Sequence, residues 1–217
     1  MNGGLNNPRV IDATPVNGNL TNGISSDWAY DHADDLDAHT KNLMEIIRIG
    51  DGYFVPPYDV NSTAGYDPAD DWFMTSLLVV PRKMTFDRIA IEISTLDVGG
   101  NVRLGIYNNG INLYPGTLLL DAGTIDTTTT GVKTIVINQQ LDKGIYHLAQ
   151  IGDNNTYKYR AYQATITPLG ATAASIASKS GGWRVAQAYG AFPDPFTAAG
   201  VLTSSPPIIG LRPSSLD

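Results

Sequence analysis

The sequence predicts an all-β fold: an antiparallel β-sandwich of jelly-roll type, preceded by an extended N-terminal arm and a short helical segment. Three observations carry that prediction. From Trp72 onward, apolar residues recur at every second position, as in Ile89, Ile91 and Ile93 or Val102, Leu104 and Ile106. Turn residues break these runs at short intervals. No stretch between the runs has the 3.6-residue period of the crossover helices that a parallel sheet needs.

Composition points the same way. Charged residues are 16% of the 217, against about 25% in an average soluble domain, while hydrophobic residues reach 42%. The difference is made up by 22 Gly, 13 Pro and many Thr, Asn and Ser, which suit strands joined by tight turns. The net charge is -7, and the 14 Lys and Arg are scattered singly, so no basic patch is present to displace counterions from a nucleic acid. The absence of cysteine removes disulfides, thiolate chemistry and zinc–thiolate sites. No apolar run approaches the roughly 20 residues of a membrane span. Residues 1–7 show neither the basic nor the apolar region of a signal peptide. The expectation is synthesis in the cytoplasm, without membrane insertion.

Four zones follow in order. Residues 1–26 are rich in Asn and Gly and lack periodicity, apart from Arg9-Val10-Ile11-Asp12. Such a segment has no core of its own and is expected to dock on a neighbouring subunit or partner protein, or else to lie as an arm on its own domain. Residues 27–50 are predicted helical: Ser25, Ser26 and Asp27 offer capping oxygens and Gly50 a stop. Ala29, Leu36 and Leu43 fall seven apart, as do His32, His39 and Ile46, offset by three, which is the a/d pattern of a coiled coil. Two readings stay open, an amphipathic helix lying on the sandwich or a parallel trimeric stem. Residues 51–71, with Pro56-Pro57, Gly65 and Pro68, are expected to form an irregular connector.

Residues 72–217 form the predicted sandwich. Strands are expected at Trp72–Val80, around Ile89–Ile93, at Val102–Tyr107, around Leu118–Leu120, and at Gly131–Asn138, Gly144–Ile151 and Tyr157–Gln163. Later ones are expected at Trp183–Tyr189 and Pro207–Arg212. Asn108-Asn109-Gly110, Tyr114-Pro115-Gly116 and Leu141-Asp142-Lys143 supply turns.

The order of several short blocks resembles a known group. Ser26-Asp27-Trp28-Ala29-Tyr30-Asp31-His32 with Asp37-Ala38-His39 is similar to a motif near the start of tail and head fibre proteins of tailed bacteriophages. Phe86-Asp87-Arg88-Ile89, Val102-Arg103-Leu104-Gly105-Ile106-Tyr107, Tyr114-Pro115-Gly116, Leu120-Asp121-Ala122-Gly123-Thr124 and Thr130-Gly131-Val132-Lys133 resemble a sandwich module of phage virion proteins. Phe192-Pro193-Asp194-Pro195-Phe196 and Ile208-Ile209-Gly210-Leu211-Arg212 fit its last strands, so the resemblance spans about residues 26–213. It implies a non-enzymatic virion subunit, homotrimeric, anchored by its N-terminus to another virion protein and presenting a sandwich to a host glycan or receptor. It carries over no functional residue.

The residues themselves offer few chemical sites. His32, His39 and His147 show no zinc-binding spacing, and no nucleophile elbow or phosphate loop occurs. His32 and His39 share a heptad position, so a trimer would ring them about its axis, where they could hold an ion; facing solvent or capping backbone is the alternative. No metal, cofactor or catalytic residue is assigned. His147 shares a strand side with Ile145, Ala149 and Ile151 and is expected in the core. Asp67-Pro68-Ala69-Asp70-Asp71 and Asp153-Asn154-Asn155 carry oxygen ligands of the kind calcium takes, or are solvated turns. Tyr157, Tyr159, Tyr162 and Trp183 are the candidate ligand contacts, because exposed rings stack on sugar faces; alternation turns one set of the tyrosines inward, and core packing or subunit contacts are the alternative for each ring. A capsid decoration protein and a carbohydrate-binding module without a virion role are the alternatives to a fibre.

Overall fold

The computed structural model describes residues 52–56, 62–66, 72–163, 169 and 180–216. Eleven strands run through them: β1 (Ser62–Tyr66), β2 (Trp72–Val80), β3 (Met84–Thr95), β4 (Asn101–Asn109), β5 (Pro115–Asp126), β6 (Gly131–Leu141), β7 (Gly144–Gly152), β8 (Lys158–Gln163), β9 (Gly182–Ala186), β10 (Val201–Thr203) and β11 (Ile209–Leu216). A single 3-10 turn, Ile111–Leu113, is the sole helical element among the described residues. The predicted arm (1–26) and helical segment (27–50) lie outside those residues, and with them Ala29, His32, Leu36, His39, Leu43 and Ile46.

Among the described residues all pairings are antiparallel and form two sheets. In the first, β6 lies along one side of β3, with Ile89 opposite Ile135. The other side of β3 is shared: β11 pairs with its first part, Ile209 opposite Ile91, and β8 with its end, Tyr159 opposite Ile93. β1 completes the sheet by pairing with β8. The second sheet runs β10-β9-β2-β7-β4-β5. Removing the three late strands β9, β10 and β11 leaves β1-β8-β3-β6 in one sheet and β2-β7-β4-β5 in the other.

The two-residue period becomes packing between these sheets. Met74 and Leu78 of β2, Val102, Leu104 and Ile106 of β4 and Leu148 of β7 point inward from the second sheet. Phe86, Ile89, Ile91 and Ile93 of β3, Tyr159 of β8, Ile137 of β6 and Leu211 of β11 meet them from the first. Burying side chains of this size stabilises by roughly 1.5–3 kcal/mol each, which makes this layer the main support of the fold.

The second sheet is also covered on its outer face. There Phe73, Tyr107, Ala149, Ile151 and Val185 pack under Phe192 and Phe196, carried by the segment 187–200. Tyr107 donates its hydroxyl to the Pro193 carbonyl at 2.6 Å, and Tyr114 donates to Thr197 at 2.6 Å while accepting from the Gly200 amide at 2.8 Å. Burial on both faces explains why β2 reads Leu77-Leu78-Val79-Val80, a continuous apolar run rather than a clean alternation.

The differences from the sequence reading are local. The stretch 51–71, expected as an irregular connector, contributes β1, and its Phe54 exchanges backbone hydrogen bonds with Leu211 at 2.7 and 2.9 Å. β1 reads Ser-Thr-Ala-Gly-Tyr, too polar to show a period. The late strand expected to reach Tyr189 stops at Ala186, because Gln187 onward folds back as the covering segment. β10, three residues long, has no periodic signal at all. Asn108-Asn109-Gly110 ends β4, but the reversal itself passes through Asn112 (φ 55°) and Leu113 (φ 57°), left-handed positions uncommon for a leucine.

Candidate interaction surface

The rings read as ligand contacts are structural. Tyr157 and Tyr159 are fully buried, and Tyr162 is 5% exposed. β8 begins at Lys158, so Tyr157 and Tyr159 face the core, and their hydroxyls form a closed polar chain. Tyr157 donates to Gln150 Oε1 (3.3 Å), Gln150 Nε2 donates to the Tyr159 hydroxyl (3.3 Å), and that hydroxyl donates to Met74 Sδ (3.0 Å). Burial pushes both phenol pKa values up, keeping them neutral. Tyr162 lies on the opposite side of β8, yet its hydroxyl donates to the Pro56 carbonyl at 2.9 Å. The segment around Pro56, which shows no periodicity, supplies that acceptor. None of the three presents a free ring face. Trp183 is half-buried: its indole N–H donates to the Leu113 carbonyl at 2.8 Å and its ring meets Tyr114 edge-on at 4.8 Å.

The polar candidates are likewise internal ties. His147 is buried on the outer side of the second sheet, where Nε2 lies 3.2 Å from Asn109 Oδ1 and Nδ1 has no partner among the described residues. Burial lowers its pKa to about 4. Asp153 accepts from the Asn101 amide and side chain, both at 2.9 Å, and Asn154 Nδ2 donates to Asp97 at 2.8 Å. Those oxygens clamp the β3–β4 turn to the β7–β8 turn. Among the described residues no group of three or more His, Cys, Asp or Glu comes together to hold a metal ion. The acidic stretch 67–71 lies outside the described residues.

What the surface does offer is apolar and sits at edges and tips. Ile111, 90% exposed, projects at the β4–β5 reversal beside the left-handed pair. Along β6, Val132 and Val136 are 58% and 70% exposed. They share a face with Thr134, while Ile135 and Ile137 turn to the core. The only charged residue of β6, Lys133, is engaged within its own chain by Asp126 (3.2 Å) and Thr129 (2.7 Å). Inward of Val132 a shallow groove of about 120 Å³ runs over the outer face of the first sheet, lined by Tyr53, Val55, Ala90, Glu92 and Gly210. Ion pairs flank it, Arg160 to Glu92 at 3.1 Å and Arg212 Nε to Asp87 at 2.7 Å.

Sequence reasoning missed β6 as a surface because its alternation was read only for which residues go inward. The signal was present: Val132 and Val136 occupy the face opposite Ile135 and Ile137, where polar residues are the rule. No protein-family model matches the chain, and a search of curated proteins finds no match.

Proposed function

We propose that the chain is a non-enzymatic structural subunit of a tailed-bacteriophage virion. In this reading residues 1–26 are an anchoring arm bound to another virion protein, residues 27–50 a trimerising stem, and residues 72–217 a jelly-roll sandwich presented to the host. One observation carries the reading: the sequence blocks that resemble virion modules fall in order on successive parts of one sandwich. Phe86–Ile89 lies on β3, Val102–Tyr107 on β4, Leu120–Thr124 on β5 and Thr130–Lys133 at the start of β6. The pairing orders β1-β8-β3-β6 and β2-β7-β4-β5 support the jelly-roll form, with β9, β10 and β11 as additions.

The rival carbohydrate-binding reading leaned on exposed rings, and three of its four rings are packed away. Capsid decoration, by contrast, uses the same sandwich and the same anchoring arm and differs in copy number.

Deleting residues 1–26 tests the anchoring idea. The expected result is a folded sandwich that no longer enters particles. Normal incorporation of the deleted chain overturns it. Solution mass of the full chain tests the stem: a multiple of three copies of 23.2 kDa is expected.

A further inference from the structure

We infer that β6 is a self-association edge, at which the sandwiches of two copies pair β6 to β6 in antiparallel fashion about a twofold axis through Thr134. The contact lies beyond the stem proposed above and uses none of its residues.

An exposed strand edge is normally protected by charges, proline, a short length or a cover. β6 is eleven residues long, has no proline, and its one charge is bound to Asp126 of the same chain. Its only strand partner among the described residues is β3. Two observations select a second copy as the occupant. The first is pattern. An antiparallel register centred on Thr134 sets Val132 opposite the partner's Val136, and Val136 opposite the partner's Val132. Both exposed valines then find an apolar neighbour, which stabilises a strand pair. The second is charge. A chain of net charge -7 repels its own copies, and the outward face of β6 from Val132 to Asn138 carries no carboxylate. Self-contact there avoids opposing acidic groups, and the neutralised Lys133 adds no repulsion.

The test uses the full chain. Wild type is expected to sediment at a larger mass than a Val132→Lys/Val136→Lys variant at equal concentration, twice as large where the stem leaves each chain monomeric and larger than a trimer where it does not. A missing stem therefore changes both masses together, and a missing β6 contact makes them equal. Equal masses overturn the inference, including the case in which a foreign strand takes the edge. Cysteine mapping fixes the register in a chain that has none of its own. Thr134→Cys faces its twin at the roughly 4.5–5.5 Å of opposed strand residues, within the disulfide range, and should cross-link on oxidation. Asn138→Cys, also exposed, is carried about 27 Å from its twin and should not. Cross-linking of both, or of neither, overturns the register.

Discussion

Phe192 lies against the bare backbone of Gly105, so close that a β-carbon there would sit 2.5 Å from its Cε2 atom. The contact lets the covering segment 187–200 settle onto β4. Gly105→Ala should therefore destabilise the protein by about 1–3 kcal/mol, the usual cost of overpacking. The check is chemical denaturation, with Gly190→Ala, which meets nothing within 4 Å, as the neutral control. A Gly105→Ala protein as stable as wild type would show that the segment does not press on β4.

The buried tyrosine chain gives a second prediction. Tyr159→Phe removes the group that accepts from Gln150 Nε2 and donates to Met74. It leaves a buried amide donor unsatisfied, at a cost of about 1–3 kcal/mol. Tyr159→Phe combined with Gln150→Leu should cost less than the two single changes added together. Additive costs would mean that the three side chains do not act as one unit.

His147 makes stability depend on pH. Burial lowers its folded pKa to about 4, below the ordinary value of 6.5. The unfolded chain then binds the proton first, so its stabilising effect is complete above pH 6.5 and drains away as pH falls toward 4. The loss attributable to this one group is about 3 kcal/mol. Comparing denaturation midpoints of wild type and His147→Gln across pH 4–7 should show a flatter profile in the variant. Parallel profiles would contradict the assignment.

The bidentate pair of Asp87 and Arg212 joins β3 to β11. Its hydrogen bond to Arg212 holds the Asp87 carboxyl below the ordinary carboxylate value, so the pair stabilises above that range and is lost in acid. Both side chains are about one-third exposed, and solvent screening limits the effect of Asp87→Asn to about 1 kcal/mol or less. The change should be smaller than that of Tyr159→Phe in the same assay.

Much of this architecture could be read from the residues. β2 was placed to its ends by Trp72 and Pro81, and the Ile89/Ile91/Ile93 and Val102/Leu104/Ile106 rows fell inward as their period required. Legibility failed where a segment owes its structure to a distant one. β1 and Phe54 are ordered by β8 and β11, far along the chain, and carry no period of their own. Alternation along Tyr157, Tyr159 and Tyr162 turns one set outward, yet both sets are buried. The acceptor that holds the Tyr162 hydroxyl is Pro56, 106 residues away. Residues 1–51, which carry the stem and arm expectations, lie outside the described residues, so those expectations rest on the sequence.

A reconstruction of purified phage particles assembled in the presence of the chain tests the proposed function most directly. The account predicts density at symmetric sites on the outside of the particle into which the two antiparallel sheets fit, connected to a neighbouring virion protein through residues 1–26. Virions that lack the chain altogether, with the protein left free in the lysate, would contradict it.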